Sequence, residues 1–122
     1  MLRLNRVSVG HVPALPDLDL ARIHRYCGSR VPARMREEVR VEATHRGRSV
    51  TIYDCRPPWQ PELEEWSRLP VAQFRYDFDD KLWTLYWADR NGRWHRYDLV
   101  ASGTIDQLLE EIDDDPNGIF WG

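Results

Sequence analysis

Residues Phe74 to Asp98 read FRYDFDDKLWTLYWADRNGRWHRYD, a run in which apolar and polar side chains largely alternate and which turn residues break twice, at Asp79-Asp80 and Asn91-Gly92. Alternation with a period of two marks a half-buried strand, and an Asn-Gly pair flanked by it is the strongest short-range hairpin signal. The run therefore predicts a three-stranded meander over Val71 to Tyr76, Leu82 to Asp89 and Arg93 to Leu99. Eleven of the fourteen Phe, Tyr and Trp residues fall between Tyr53 and Tyr97, so core and recognition surface alike are expected there.

Upstream, RPPWQPELEEWSRLP at 56–70 carries Pro57, Pro58, Pro61 and Pro70, none of which can donate to a strand ladder, so it reads as a loop leaving the sheet. Long loops in compact domains are functional or disordered, and Trp59 and Trp66 argue for one that packs on the body. Whether these indoles cover the polar sheet face decides if that face is free to bind. Before the loop, REEVRVEATHRGRSVTIYDC at 36–55 alternates, turns at Arg46-Gly47 and alternates back as a first hairpin. Earlier still, Leu20, Ile23, Cys27 and Val31 recur at helical spacing behind Asp17 or Asp19 as N-cap, giving a helix of about three turns that Pro32 ends.

Downstream, Thr104 and Gln107 form a capping box, and Ile105, Leu108, Leu109 and Ile112 line one face of a second helix. The terminal GIFWG is expected to dock. Residues 1–14 read as a poorly ordered arm or an added edge strand. The expectation is thus a single α+β domain over 15–122: an antiparallel meander of about five strands with an N-terminal and a C-terminal helix packed on one face.

Taking Asn91-Gly92 as a two-residue turn opposes Ala88 to His95 and Tyr86 to Tyr97. Taking Asp79-Asp80 as the other opposes Phe74 to Leu85 and Tyr76 to Trp83. One face then collects Ala72, Phe74, Tyr76, Trp83, Leu85, Trp87 and Trp94 as core, with Arg96 across from Trp87 and Asp89 across from Trp94. The other collects Gln73, Arg75, Thr84, Tyr86, His95 and Tyr97, joined by Arg40, Glu42, Thr51 and Tyr53 of the first hairpin. This second face is solvated and polar in the plainest reading. Its Tyr and Arg residues make it a candidate recognition surface, because those types dominate binding hot spots.

At 122 residues the chain can bury roughly two-thirds of its unfolded surface without metals or disulfides. Cys27 and Cys55 show no framework spacing, and the opening sequence has no secretory h-region, which together suit a reduced cytoplasm. No window approaches a membrane span. The net charge of −3 hides a gradient: residues 1–50 hold ten Arg against five acids, and residues 101–122 hold six acids and no base.

Constellations able to carry chemistry are incomplete. His95, beside Tyr86, Tyr97 and Arg75, is the candidate general base of a hydrolase or nuclease, but no nucleophile accompanies it. His24 and Cys27 lack a second ligand pair, so zinc is not expected. Asp113-Asp114-Asp115-Pro116-Asn117-Gly118 matches only the first half of a calcium loop and reads as a helix-ending turn. Neither Glu37, Glu38 and Glu42 nor Glu62, Glu64 and Glu65 has the lysine spacing of a magnesium nuclease, and Pro58-Trp59-Gln60-Pro61 is a weak P-x-x-P motif. No metal or cofactor is expected. Arg40, Arg75 and Arg93 with Tyr86 and Tyr97 would form a stacking platform for single-stranded nucleic acid, although the acidic balance opposes a large phosphate footprint.

Four motifs in order, RPPW at 56–59, FRYD at 74–77, LYWADRNGRWHRYD at 85–98 and DPNGIFWG at 115–122, resemble a bacterial family of uncharacterised proteins, Domain of Unknown Function 3024. The likeness covers roughly residues 15–122. It implies a small stand-alone protein and brings no activity, ligand or catalytic residue with it. The leading expectation is a non-enzymatic intracellular module that binds a protein or small ligand through Gln73, Arg75, Tyr86, His95 and Tyr97. The alternatives are the His95 enzyme, the single-strand binder, and a homodimer through the polar face or an edge strand.

Overall fold

A computed structural model describes residues 13–60, 62 and 64–122, so nearly all of the arm expected over 1–14 lies outside the described residues. The chain runs from helix α1 (Asp17–Arg30) through a short 3-10 turn (Ala33–Met35) into strands β1 (Arg40–Arg46), β2 (Ser49–Arg56), β3 (Ser67–Asp77), β4 (Leu82–Ala88) and β5 (Trp94–Arg96). It ends in helix α2 (Ile105–Asp114). The strands form one antiparallel sheet in the order β1-β2-β3-β4-β5, the α+β meander with two helices that the sequence predicts.

Helix α1 starts behind Pro16 with no side-chain cap. Of the two expected caps, Asp17 is the first helical residue and makes no cap bond, and Asp19 instead accepts a hydrogen bond from Trp83 Nε1 at 2.8 Å, which ties the first turn of α1 to β4. At its other end Val31 is extended, as the ring of Pro32 requires of its predecessor. The Thr104–Gln107 capping box of α2 forms as read, with Gln107 N donating to Thr104 Oγ1 and Thr104 N to Gln107 Oε1.

Ile23 and Cys27 of α1 and Ile105, Leu108, Leu109 and Ile112 of α2 share one buried cluster with Val50, Ile52, Ala72, Phe74, Tyr76, Trp83 and Leu85 of the sheet. Both helices therefore cover the same face. Each large apolar side chain buried there stabilises the fold by about 1.5–3 kcal/mol, which makes the cluster the main driving force. Cys27 lies within it, and burial pushes its thiol up to about 12.

Hairpin registers decide which residues face this core. In β1–β2 the turn is Gly47-Arg48, closed by Arg46 and Ser49, with a positive φ of 59° at Gly47 alone, the type II′ pattern. In β3–β4 Phe74 opposes Leu85 and Tyr76 opposes Trp83, as expected. The Asp77 carboxylate accepts the amides of Asp79 and Asp80 at this turn.

The β4–β5 register differs from the expected one by a single residue. Ala88 opposes Trp94, Trp87 opposes His95 and Tyr86 opposes Arg96. The loop has three residues rather than two: Gly92 N bonds to Asp89 O, Asp89 N bonds to Arg93 O, and Gly92 alone has positive φ, at 81°. This is a type I turn followed by a left-handed glycine, whereas the expected two-residue type I′ turn needs positive φ at Asn91 too. Asp89 favours the longer loop, because its Oδ1 accepts both Asn91 N and Arg93 N.

A slip of one residue turns every side chain of a strand over. Tyr97, expected outside, is buried at 2% exposure, while Trp94, expected in the core, stands half-buried on the opposite face with Arg96. Two boundaries also move. Strand β3 starts at Ser67 rather than Val71, which shortens the loop, and Pro70 sits inside it beside a bulge that leaves Val71 unpaired between Ile52–Ala72 and Tyr53–Pro70. Proline is tolerated there because bulges leave ladder donors unused and β4 reaches no further along β3 than Ala72. Strand β5 is only three residues long, after which Gly103 rejoins β4 through paired hydrogen bonds with Trp83.

Candidate functional site

The face of the sheet away from the helices is built by alternation from Arg40, Glu42, Thr44 and Arg46 on β1 and Ser49, Thr51, Tyr53 and Cys55 on β2. Strand β3 adds Arg68, Gln73, Arg75 and Asp77, and β4 and β5 add Thr84, Tyr86, Trp94 and Arg96. Five guanidinium groups thus share one surface with two carboxylates, although the whole chain carries a net charge of −3. The six acids of residues 101–122 lie on and after α2, on the other side of the sheet.

Three of these arginines sit over aromatic rings: Arg75 over Tyr86 at 3.8 Å, Arg40 over Trp66 at 3.9 Å and Arg68 over Tyr53 at 4.2 Å from guanidinium carbon to ring centroid. Such stacks hold a cation at an exposed site for about 0.5–1 kcal/mol and leave its N–H edges free. Arg75 is fixed further, since its Nε donates to Gln73 Oε1 at 2.7 Å and Gln73 Nε2 donates to Thr51 Oγ1 at 3.0 Å. A chain Thr51–Gln73–Arg75–Tyr86 therefore crosses β2, β3 and β4.

A groove of about 460 Å³ runs over this chain. Thr44, Ser49 and Thr51 supply its hydroxyls, Tyr53 and Trp94 its rings, and Arg46 and Arg75 its charge, with no carboxylate in its lining. Neither arginine is ion-paired among the described residues. The indoles of the proline-rich loop leave the groove open: Trp59 is 82% exposed, and Trp66 is held beneath Arg40 on β1.

Of the residues expected to form a recognition surface, Gln73, Arg75 and Tyr86 come together here, and His95 and Tyr97 do not. His95 packs on Trp87 on the helix side of the sheet, with ring centroids 4.7 Å apart and planes 27° apart, and hydrogen-bonds to Asp89 Oδ2 at 2.7 Å. That bond, with the two amides on the same carboxylate, holds the Asp89 carboxyl down at about 2. His95 lies outside each of the five grooves that stand out on the described surface, and its contacts secure the turn. Tyr97 donates its hydroxyl to Glu111 Oε2 at 2.6 Å, and burial, followed by that bond, raises its phenol above the usual range.

Trp94 is the groove residue that sequence reasoning misplaced, and Thr44, Arg46 and Ser49 are the ones it passed over. Their only signal was alternation along β1 and β2. The half-match to a calcium loop resolves into separate partners: Asp113 Oδ1 accepts from Tyr26 and Arg30, and Asp115 accepts the amides of Phe120 and Trp121, folding the terminus back. No group of three or more metal-ligating side chains gathers among the described residues.

The family model described as a domain of unknown function (DUF3024) matches residues 12–122. The chain belongs to that family. The match spans the DUF3024 helices and all five strands, the open face included. No curated protein and no solved structure matches the chain. No helix among the described residues is long and apolar enough to cross a membrane.

Proposed function

We propose that the chain is a non-enzymatic binding module whose recognition surface is the open sheet face around Arg75, Tyr86, Gln73 and Trp94. One observation carries this reading: Arg75 is locked by Tyr86 and Gln73, yet its remaining N–H groups meet no carboxylate among the described residues. A solvated surface needs no such positioning, because an unpaired arginine is equally well hydrated in many rotamers and fixing it costs side-chain entropy. A preorganised donor set lowers the cost of binding. Both cysteines are free and buried, which supports action in a reducing compartment.

The test is capture from cell extract by the full chain and by an Arg75→Gln/Tyr86→Ser variant, with both protein and nucleic acid in the captured fraction identified. Neither substituted side chain is buried in the helix-side core, so the variant should melt within a few degrees of wild type. Selective capture lost in the folded variant supports the reading, and capture unchanged by it rejects this face as the recognition surface.

A further inference from the structure

Resting on that assignment of the face, we infer that its ligand is single-stranded nucleic acid, with unpaired bases against Trp94 and Tyr53 and phosphates on the arginines. Charge complementarity is the first argument. The groove holds two arginines, two aromatic rings, several hydroxyls and no acid. Arg96 lies beside it across from Tyr86, and Arg40 and Arg68 continue the cationic surface at the far end of β1 and β3. Five arginines outnumber the two carboxylates of this face, Glu42 and Asp77, and the carboxylates of α2 and the terminus lie on the other side of the sheet.

Shape is the second argument. Small-molecule sites are concave and enclose most of the ligand. This groove lies on a sheet surface with Arg46 and Arg75 in its lining, and beyond Glu42 the cationic groups resume at Arg40, roughly 20 Å from Arg46 at the rise of a strand. A linear polyanion uses that length, whereas a single nucleotide does not. Duplexes hide their base faces, so half-buried Trp94 and the guanidinium groups already held over Tyr86 and Tyr53 match only unpaired bases, which stack on rings and on arginine alike. Hydroxyls of Thr44, Thr51 and Ser49 on the groove floor suit base edges and sugar oxygens.

The experiment is fluorescence anisotropy of a labelled mixed-sequence 12-nucleotide DNA strand with the full-length chain across a sodium chloride series. Saturable binding is expected, falling with salt at a log–log slope of about −2 to −3.5, as three to five neutralised phosphates give for a single strand. Arg46→Gln/Arg75→Gln and, separately, Trp94→Ala should each weaken binding about tenfold or more, while Arg25→Gln on exposed α1 should leave it unchanged. Circular dichroism melts confirm that the variants fold, and the exposed Arg46→Gln alone serves if Trp94→Ala does not.

The inference is overturned by no binding at low salt, by equal affinity for the same sequence as a duplex, by equal loss in Arg25→Gln, or by polyglutamate competing as well as unlabelled strand. If the oligonucleotide does not bind but extract capture still depends on Arg75 and Tyr86 in nuclease-treated samples, the ligand class is wrong and the recognition face stands. If neither depends on them, both fail.

Discussion

His95 Nε2 and Asp89 Oδ2 lie 2.7 Å apart across the base of the β4–β5 turn, while the other oxygen of that carboxylate accepts the amides of Asn91 and Arg93. One side chain thus closes the loop from within and pins the returning strand. Asp89 selects the three-residue turn, and that turn sends Tyr97 into the core and Trp94 to the open face.

Acid should weaken this device first. Bonding to His95, then the turn amides, lowers the Asp89 carboxyl from 3.8 to about 2. A carboxyl held low in the folded state adds stability above its ordinary range and forfeits it as the pH falls from about 4 toward 2. Urea midpoints measured from pH 5 to 2 should fall for wild type and fall less steeply for Asp89→Asn, which starts lower. Identical slopes would show that the pair does not stabilise the fold.

The turn type itself has a signature in substitutions. Gly92 has φ +81°, whereas Asn91 is not in the left-handed region. Gly92→Ala should cost about 1–2 kcal/mol and Asn91→Ala less than about 0.5 kcal/mol in urea unfolding. Comparable losses at both positions would mean that the two-residue turn forms in solution.

Tyr97→Phe removes the donor to Glu111 from a buried ring and should cost about 1–3 kcal/mol. The phenols of Tyr97 and Tyr26 are both raised, chiefly by burial and then by bonds to Glu111 and Asp113. A group raised on folding stabilises the fold fully below its unfolded pKa, here near 10, and loses that contribution as the pH climbs through the folded value. Thermal melts between pH 9 and 12 should therefore drop more steeply for wild type than for Tyr97→Phe.

Trp83 couples the sheet to the first turn of α1 through Asp19. Trp83→Phe leaves that carboxylate, among the described residues, with only Arg22, 3.6 Å away, and opens space in the core, so chemical denaturation should report a loss of about 2–4 kcal/mol. Asp19→Asn keeps an acceptor and should cost less than about 1 kcal/mol. The reverse order would place the stabilisation in helix charge rather than in the tie.

The β3–β4 register was legible because a loop centred on Asp79-Asp80 sets the same pairing whether two or four residues long, so an error in turn type does no harm. The β4–β5 register was not, because Asn-Gly serves both a two-residue and a three-residue loop and the two differ in parity. The start of helix α2 was legible to the residue, since its capping box and apolar stripe are both local patterns. The fate of Asp19 was not, because a carboxylate nineteen residues into the chain gives no sign that an indole sixty-four residues on will claim it.

Period, capping and turn chemistry are properties of neighbouring residues, and from them the sequence by itself determined two helices, a five-stranded meander and an interior built from Phe74, Trp83 and Leu85. Tertiary structure alone decided the sidedness of β5 and the make-up of the candidate site. Burying Tyr97 against Phe120 and Glu111 rather than Trp94 is a choice between long-range contacts that no local window contains. The gathering of Arg40, Arg46, Arg68, Arg75 and Arg96 on one face follows from successive strand pairings that carry residues up to 56 positions apart in the chain onto one surface, while their ordering along the sequence showed only a gradient.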